Sequence, residues 1–324
     1  MKSSIKRSFS LVSEEMLQAY PSMKSDDDGF VVYQVTVDDT VVDITPEHLS
    51  GSYIADRVND IKKERCVDDL RLVLSVPAYF SDEQVKLYQA GLYIANVNNY
   101  ILIRDTESIA VAYSYYESLR HRFTVPKVVL FVGIGFYEAE AFVVRFSNDS
   151  FDILAYEHTS KVGAQLVDAL ILREVERNYS ELKDESFPDW EDIPSVYSRI
   201  MSTVNDCRNH FTPGMSYYDE SLPGMICGED FSFYVDFEEL ERQIEQTELC
   251  ACYRSMVSKC LDSIGDVKID EVEPMNQNAF MRPFVEELND FMKERGESIS
   301  FCPAIEVLHS MLSWKSKTTS SSIR

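Results

Sequence analysis

Two glycines, Gly133 and Gly135, stand in the stretch VVLFVGIGFYEAEAFVV, residues 128–144, between two runs rich in β-branched and aromatic residues. Glycines at such a turn let backbone N–H groups approach an anion such as phosphate, because no Cβ holds it off. Yet the turn carries no Asp, Ser, Thr or Lys, the side chains on which phosphate and metal chemistry draws. Other candidates are sparse. Cys250 and Cys252 are the only tightly spaced pair among seven cysteines, and their one-residue gap lacks the spacing and the second pair of a zinc site, so they read as structural. The histidines, His48, His121, His158, His210 and His309, show no ligand spacing. Asp105 opens a helical pattern, where an acid is stabilised by the helix dipole or, inside a cleft, orients water.

Composition narrows the classes that could use these residues. With 324 residues, 45% of them hydrophobic, the chain can bury a sizeable core and is expected to hold two lobes or domains. The balance of 31 basic and 55 acidic residues gives a formal charge of −24, which repels phosphate backbones and anionic lipid, so nucleic acid and membrane surfaces are poor partners. The longest apolar run is too short for a membrane helix, and the first residues lack the continuous apolar stretch of a signal peptide. An odd number of scattered cysteines fits reduced thiols, and the chain reads as cytoplasmic. Its 11 glycines are few for loops that wrap nucleotide phosphates.

The elements that position the candidates alternate in type. FVVYQVTVDDTVVDI reads as a hairpin turning at Asp38-Asp39, followed by a helix with Thr45 as N-cap, Pro46 in its first turn and Leu49, Tyr53, Ile54, Val58 and Ile61 on one face. RLVLSVPAYF reads as a buried strand. Ser81 and Gln84 have the spacing of a capping box opening the helix DEQVKLYQAGLYIAN, and NYILIR is a strand before the helix TESIAVAYSYYESL. The glycine-bearing hairpin, the strand FDILAYEH and a long helix around GAQLVDALILREVERNY follow. Residues 184–194 are acidic with two prolines and mark a break. A mainly helical insert from Ser195 to Leu261 includes one alternating stretch, MICGEDFSFYVDF; the strand VKIDEVEP and the helices NAFMRPFVEELNDFMKE and PAIEVLHSMLSW close the chain. Mixed α/β follows from this order.

The segment RLVLSVPAYFSDEQVKLYQAGLYIANVNNYILIRDTESIAVAY, a strand ending in Val-Pro-Ala-Tyr-Phe, a capped helix, a strand and an Ala-rich helix, resembles the nucleotide-binding domain of the 70-kilodalton heat-shock chaperones, and especially their 110-kilodalton relatives. The resemblance runs nearly end to end. It implies an actin-like ATPase fold of two ribonuclease H-like lobes closing on ATP. Residues 1–122 are then a partial lobe I that lacks the strand pair holding the first phosphate loop. Residues 123–194 and 262–314 form the inner part of lobe II, 195–261 its mainly helical outer part, and 315–324 a disordered tail.

Residue by residue, the resemblance implies a dismantled nucleotide site. Asp105 falls on the catalytic-side acid. The second phosphate loop, Asp-x-Gly-Gly-Gly-Thr in the family, falls on Gly133-Ile134-Gly135-Phe136-Tyr137-Glu138, with Gly133 in place of the metal-facing aspartate and Phe136 and Tyr137 where phosphate needs glycine. The family's Leu-Gly-Gly-x-x-Phe-Asp falls on residues 162–168, keeping Gly163 and Asp168 but placing Ala164 at the second glycine, and its preceding aspartate falls at about Thr159. The adenosine-side acid, Lys and Arg fall on Asn205, Arg208 and Asn209, and the Gly-Gly-Ser-Thr-Arg-Ile-Pro loop on residues 276–282, with Asn276, Gln277 and Phe280 at the adenosine. Lys2 aligns with a catalytic lysine and Ala304 with a late aspartate.

The resemblance thus implies a non-catalytic domain without a peptide-binding domain, expected to hold no cofactor and no metal where the family holds ATP or ADP with Mg. As in the 110-kilodalton branch, whose members act as nucleotide exchange factors, its expected partner is a 70-kilodalton chaperone. The alternatives are a surviving weak ATPase and a truncated product without independent function.

Overall fold

The computed structural model describes residue 5 and residues 22–119, 126–148, 150–183, 187, 194–226 and 228–296. In chain order come β1 (Met23–Ser25), β2 (Val31–Val37), β3 (Thr40–Ile44), α1 (Pro46–Arg65), β4 (Leu72–Val76), α2 (Asp82–Ile94), β5 (Tyr100–Arg104) and α3 (Asp105–Leu119). Then follow β6 (Lys127–Ile134), β7 (Ala139–Phe146), β8 (Phe151–Thr159), α4 (Ala164–Lys183), α5 (Pro194–His210), β9 (Tyr217–Ile226) and β10 (Glu229–Asp236). The last are α6 (Phe237–Glu245), α7 (Leu249–Asp262), β11 (Glu271–Pro274), a short 3-10 helix (Gln277–Phe280) and α8 (Arg282–Glu294). The chain divides into two compact units: Met1–Tyr115, Ile171–Asp206 and Asp219–Tyr234 form the first, and Tyr116–Leu170, Cys207–Tyr218 and Val235–Arg324 the second.

In the first unit, β1, β2 and β3 form an antiparallel sheet in that order. Asp38 and Asp39 turn the chain between β2 and β3 with φ of 48° and 61°, the left-handed pair whose twist matches a two-residue hairpin. Thr45 and Pro46 open α1 as expected, although the Thr45 hydroxyl makes no capping bond. The face that α1 buries differs from the expected one: Ser50 and Gly51 are buried, whereas Tyr53 and Ile61 are 53% and 41% exposed. The cause is a backbone contact with α2. A Cβ on Gly51 would stand 2.1 Å from the Gly91 carbonyl oxygen, and one on Gly91 would stand 2.1 Å from that of Glu47. The small residues therefore mark the crossing, and the larger apolar ones fall to its sides.

Ser81 and Gln84 make the expected capping box at the start of α2. The helix buries Tyr88 and Leu92 against Val76, Phe80, Val97 and Ile5. Strands β4 and β5 pair in parallel. β4 is not buried throughout: Val73 is 63% exposed and its partner Ile101 42%. A β-branched run looks alike whether one face is covered or both.

In the second unit the sheet order is β11-β6-β7-β8, with β11 parallel to β6 and the other pairs antiparallel. Its inner strand β6 is buried from Val129 through Ile134, which explains its continuous apolar text. Phe131 pairs with Phe142 across the ladder, their rings stacked at 4.9 Å. Helix α7 covers β7 and β8, bringing Cys260 Sγ to 3.4 Å from the Ala141 carbonyl. Helix α8 packs on α7 through Tyr253 and Phe284, while Arg254 bonds Glu287 at 3.0 Å and lies over the Phe291 ring.

Residues 195–261 hold α5, α6 and most of α7, but also the full hairpin β9–β10, longer than the alternating stretch MICGEDFSFYVDF. Pro223 and Gly224, the latter at φ 60°, interrupt the strand text of β9. The expected helix at 278–294 begins only at Arg282, with Pro283 in its first turn and the 3-10 helix before it. The closing helix PAIEVLHSMLSW, the tail 315–324, Lys2, His121, His309 and Ala304 lie outside the described residues. Among the described residues, no helix is long and apolar enough to cross a membrane.

Candidate nucleotide site

The turn after β6 is built against the start of α4. Gly135 donates its N–H to the Glu138 carbonyl at 2.7 Å, and a Cβ on Gly135 would stand 2.9 Å from that oxygen. Ala164 N–H donates to the Gly135 carbonyl at 3.0 Å and Gln165 N–H to the Phe136 carbonyl at 3.1 Å. These are among the first amides of a helix, which have no partner within it and stand ready for an anion when nothing else takes them. Here the turn takes them. Gly163 makes this docking possible, since a Cβ there would stand 2.7 Å from the Phe136 carbonyl oxygen and 2.8 Å from the Tyr137 carbonyl carbon. Phe136 and Tyr137 pack edge to face at 4.7 Å. Gly133, near the end of β6, has the Met275 side chain against it: an added Cβ would meet the Met275 methyl at 2.6 Å and Asn276 Nδ2 at 3.3 Å.

The 276–280 turn closes on the same strand end. Asn276 caps the 3-10 helix, its Oδ1 accepting from Ala279 N–H at 3.2 Å and from Ile134 N–H at 3.3 Å. Asn278 Nδ2 donates to the Ile134 carbonyl at 2.9 Å. One asparagine thus holds the N–H of Ile134 and the other its C=O, completing the hydrogen bonding that a strand end otherwise lacks. Gln277 Nε2 donates to the Asn209 carbonyl at 3.1 Å, and Arg208 Nε donates to Asn278 Oδ1 at 3.1 Å. Arg208 Nη1 donates to Asp168 Oδ1 within α4. Both side chains are buried. Burial pushes the Asp168 carboxyl above its ordinary value, opposed by the Arg208 charge.

The structure therefore brings together Gly133, Gly135, Gly163, Asp168, Arg208, Asn209, Asn276, Gln277 and, half-buried beside them on the 3-10 helix, Phe280. Asn205 lies three residues before Arg208 on α5 and is exposed. Thr159 ends β8. Met275 escaped the sequence reading, and Asn278, inside the matched loop 276–282, was given no role in it. The signal for Asn278 was the run of three amide side chains, Asn276 to Asn278, one residue beyond the end of β11, a composition that caps turns.

Asp105 belongs to the first unit, where it is the first residue of α3. Its Oδ1 accepts from Ala78 N–H at 2.9 Å and Thr106 N–H at 2.8 Å. Burial pushes this carboxyl up, against those two N–H groups and Arg104. It ties the turn after β4 to the start of a helix, the place where a carboxylate suits the dipole.

Among the described residues, Cys66, Cys207, Cys250, Cys252 and Cys260 are free thiols. The Cys250 thiol is pushed up to about 12, first by burial and then by Glu287, Glu245 and Glu241, and burial likewise pushes Cys260 to about 12. Such thiols stay protonated at neutral pH, and the thiolate is the reactive form. Among the described residues, no three His, Cys, Asp or Glu side chains are grouped to hold a metal ion.

A family model described as Hsp70 protein matches residues 1–223. The chain belongs to the Hsp70 family, as a homologue of its nucleotide-binding domain, and membership implies the actin-like ATPase fold. It is 25% identical over 236 residues to the chaperone protein dnaK1 of Prochlorococcus marinus, covering 73% of this chain and 34% of that protein. It is 23% identical over 279 residues to a heat shock protein homolog of Lachancea kluyveri, covering 83% of this chain and 39% of that one. With heat shock protein 110 of Caenorhabditis elegans it shares 29% identity over 119 residues, or 36% of this chain and 15% of the relative. The matched stretch is thus well under half of each relative.

Proposed function

We propose that this chain is a non-catalytic member of its family, acting as a regulator or scaffold for an active 70-kilodalton chaperone rather than turning over nucleotide. One observation carries the reading: most of the polar groups at and around the family's nucleotide-contacting positions bond to one another. The first amides of α4 donate to turn carbonyls, Arg208 is committed to Asp168 and Asn278, and Asn276 and Asn278 hold Ile134. A phosphate or adenosine would have to displace bonds already made, and buried donors are costly to strip of partners. Phosphoryl transfer needs positioned phosphates, a metal and an oriented water, and the residues present do not fit such a group. The partner is an expectation drawn from the family, in which the Lachancea homolog and heat shock protein 110 are among the relatives matched.

Two measurements test this. Titration calorimetry with ATP and Mg should give no saturable heat, and the purified chain should co-purify with a 70-kilodalton chaperone from a native cytosol. Turnover above background that is lost in Asp105→Ala would establish a surviving weak ATPase instead. Failure to recover any such chaperone would remove the regulatory half of the proposal.

A further inference from the structure

The outer strand of the β1–β2–β3 sheet is exposed over most of its length. Among the described residues no strand lies beyond β3, whose first four residues, Thr40, Val41, Val42 and Asp43, are all exposed, Val41 by 59% and Val42 by 42%. The register fixes which backbone groups face outward. Val37 and Thr40 flank the two-residue turn and form a hydrogen-bonded pair, so along β3 the bonding to β2 alternates: Thr40, Val42 and Ile44 turn their N–H and C=O inward, Val41 and Asp43 outward. Proteins usually shorten, bend, cover or charge such an edge, because its unpaired groups template another strand. β3 has no proline and a single acid, Asp43, whose carboxylate accepts from Gln34 on β2 at 3.0 Å.

The two faces of this edge differ. Val42 shares its face with Val37, which is 54% exposed, and with the half-buried Val35, giving an apolar strip. Val41 shares the opposite face with Asp43, Gln34 and Thr36. Asp38 and Asp39 stand at the turn end. A strand added along this edge places alternate residues on the two faces. Those beside Val42 meet the edge of this apolar strip, and those beside Asp43 meet negative charge. We propose that β3 is a docking edge for an extended protein segment in which apolar residues alternate with Lys or Arg, bound by backbone pairing to Val41 and Asp43. Charge complementarity selects this partner over a second copy of the chain, which brings the same acids and a formal charge of −24.

The test uses the full chain and a fluorescent peptide of about eight residues alternating Val and Lys, a length typical of a strand, read by anisotropy. Saturable binding is expected, weakening with salt. Val41→Pro removes the outward N–H without touching the bonds to β2, and should weaken binding about tenfold; Asp43→Lys should weaken it severalfold. Melting curves establish that each variant folds, and if Val41→Pro does not, Asp43→Lys decides alone. A peptide alternating Val and Glu should not bind. Equal binding of a cationic peptide with prolines at the pairing positions would show attraction to net charge alone and overturn the proposal. So would absence of binding, or self-association that Val41→Pro abolishes, since that would make a second copy the occupant.

Discussion

Arg208 and Asp168 face each other across two helices, with side chains 6% and 4% exposed, and Arg208 passes the contact on to Asn278. Two charges kept out of water are tolerable only while each has the other. Asp168→Ala or Arg208→Ala alone should therefore cost about 3–5 kcal/mol in urea unfolding, while the double change Asp168→Leu with Arg208→Met should cost clearly less than the sum. Additive losses would mean that the pair is not coupled.

Much of this fold is legible from local text, and most of the candidate site is not. Asp38-Asp39, the Ser81–Gln84 box and the strand text of β6 announce themselves because turn chemistry, capping and continuous burial act within a few residues. The contact of Gly51 with Gly91 joins residues far apart in sequence, so periodicity misplaces the buried face of α1. The site fails for the same reason. Asp168 and Arg208 were visible as surviving charges, but their pairing, and the clasp of Asn276 and Asn278 on Ile134, depends on strand register and on a turn that closes on a strand distant in the chain. Pro223 and Gly224 interrupt the text of β9, so only its last two residues fall within the alternating stretch read from the sequence.

The glycines of the site should separate by what stands over them. Gly163→Ala forces its Cβ against the Phe136 and Tyr137 backbone, which cannot move without breaking the docking of the turn on α4, and should cost about 1–3 kcal/mol. Gly133→Ala meets chiefly the end of the Met275 side chain, which can swing away, and should cost less than about 1 kcal/mol. Thermal unfolding of the two variants side by side checks the order.

Gly91→Ala should be worse than either. Its Cβ would stand 2.1 Å from the Glu47 carbonyl oxygen, so α1 and α2 must separate along their crossing. A loss of about 3 kcal/mol or more, at the upper end of overpacking, is expected in denaturant titration, and a neutral result would remove the backbone contact from the account of why α1 buries its small residues.

Asp105 gives a prediction in pH. Its carboxyl is raised in the folded state by burial, so the native chain holds the proton more tightly than the unfolded one. That contribution is fully present below the ordinary carboxylate value of 3.8 and is lost as pH rises through the raised one. Asp105→Asn keeps an acceptor for Ala78 and Thr106 but cannot ionise. Its stability relative to the unaltered chain should therefore improve as pH rises from about 3 to 7. Unfolding curves at several pH values settle the sign: relative stability that falls over this range would mean that the carboxylate, not the acid, is favoured by the fold.

The strongest expectation concerns nucleotide. A ligand that binds only the folded state adds RT ln(1 + [L]/Kd), so a working site facing ATP at about 1,000 times its Kd would gain roughly 4 kcal/mol. Domains of 150–250 residues shift by about 2–4 °C for each kcal/mol, so such a site would announce itself. Against this, Ala164 and Gln165 donate to the turn, Arg208 is held by Asp168 and Asn278, and the Met275 side chain lies against Gly133. The formal charge of −24 opposes an anionic ligand as well. Millimolar Mg-ATP should then move the melting temperature by less than about 2 °C. A shift of about five degrees or more, abolished by Arg208→Ala at matched stability or by Phe280→Ala, would mean that these bonds open to admit nucleotide and that the network is a resting arrangement of a live site.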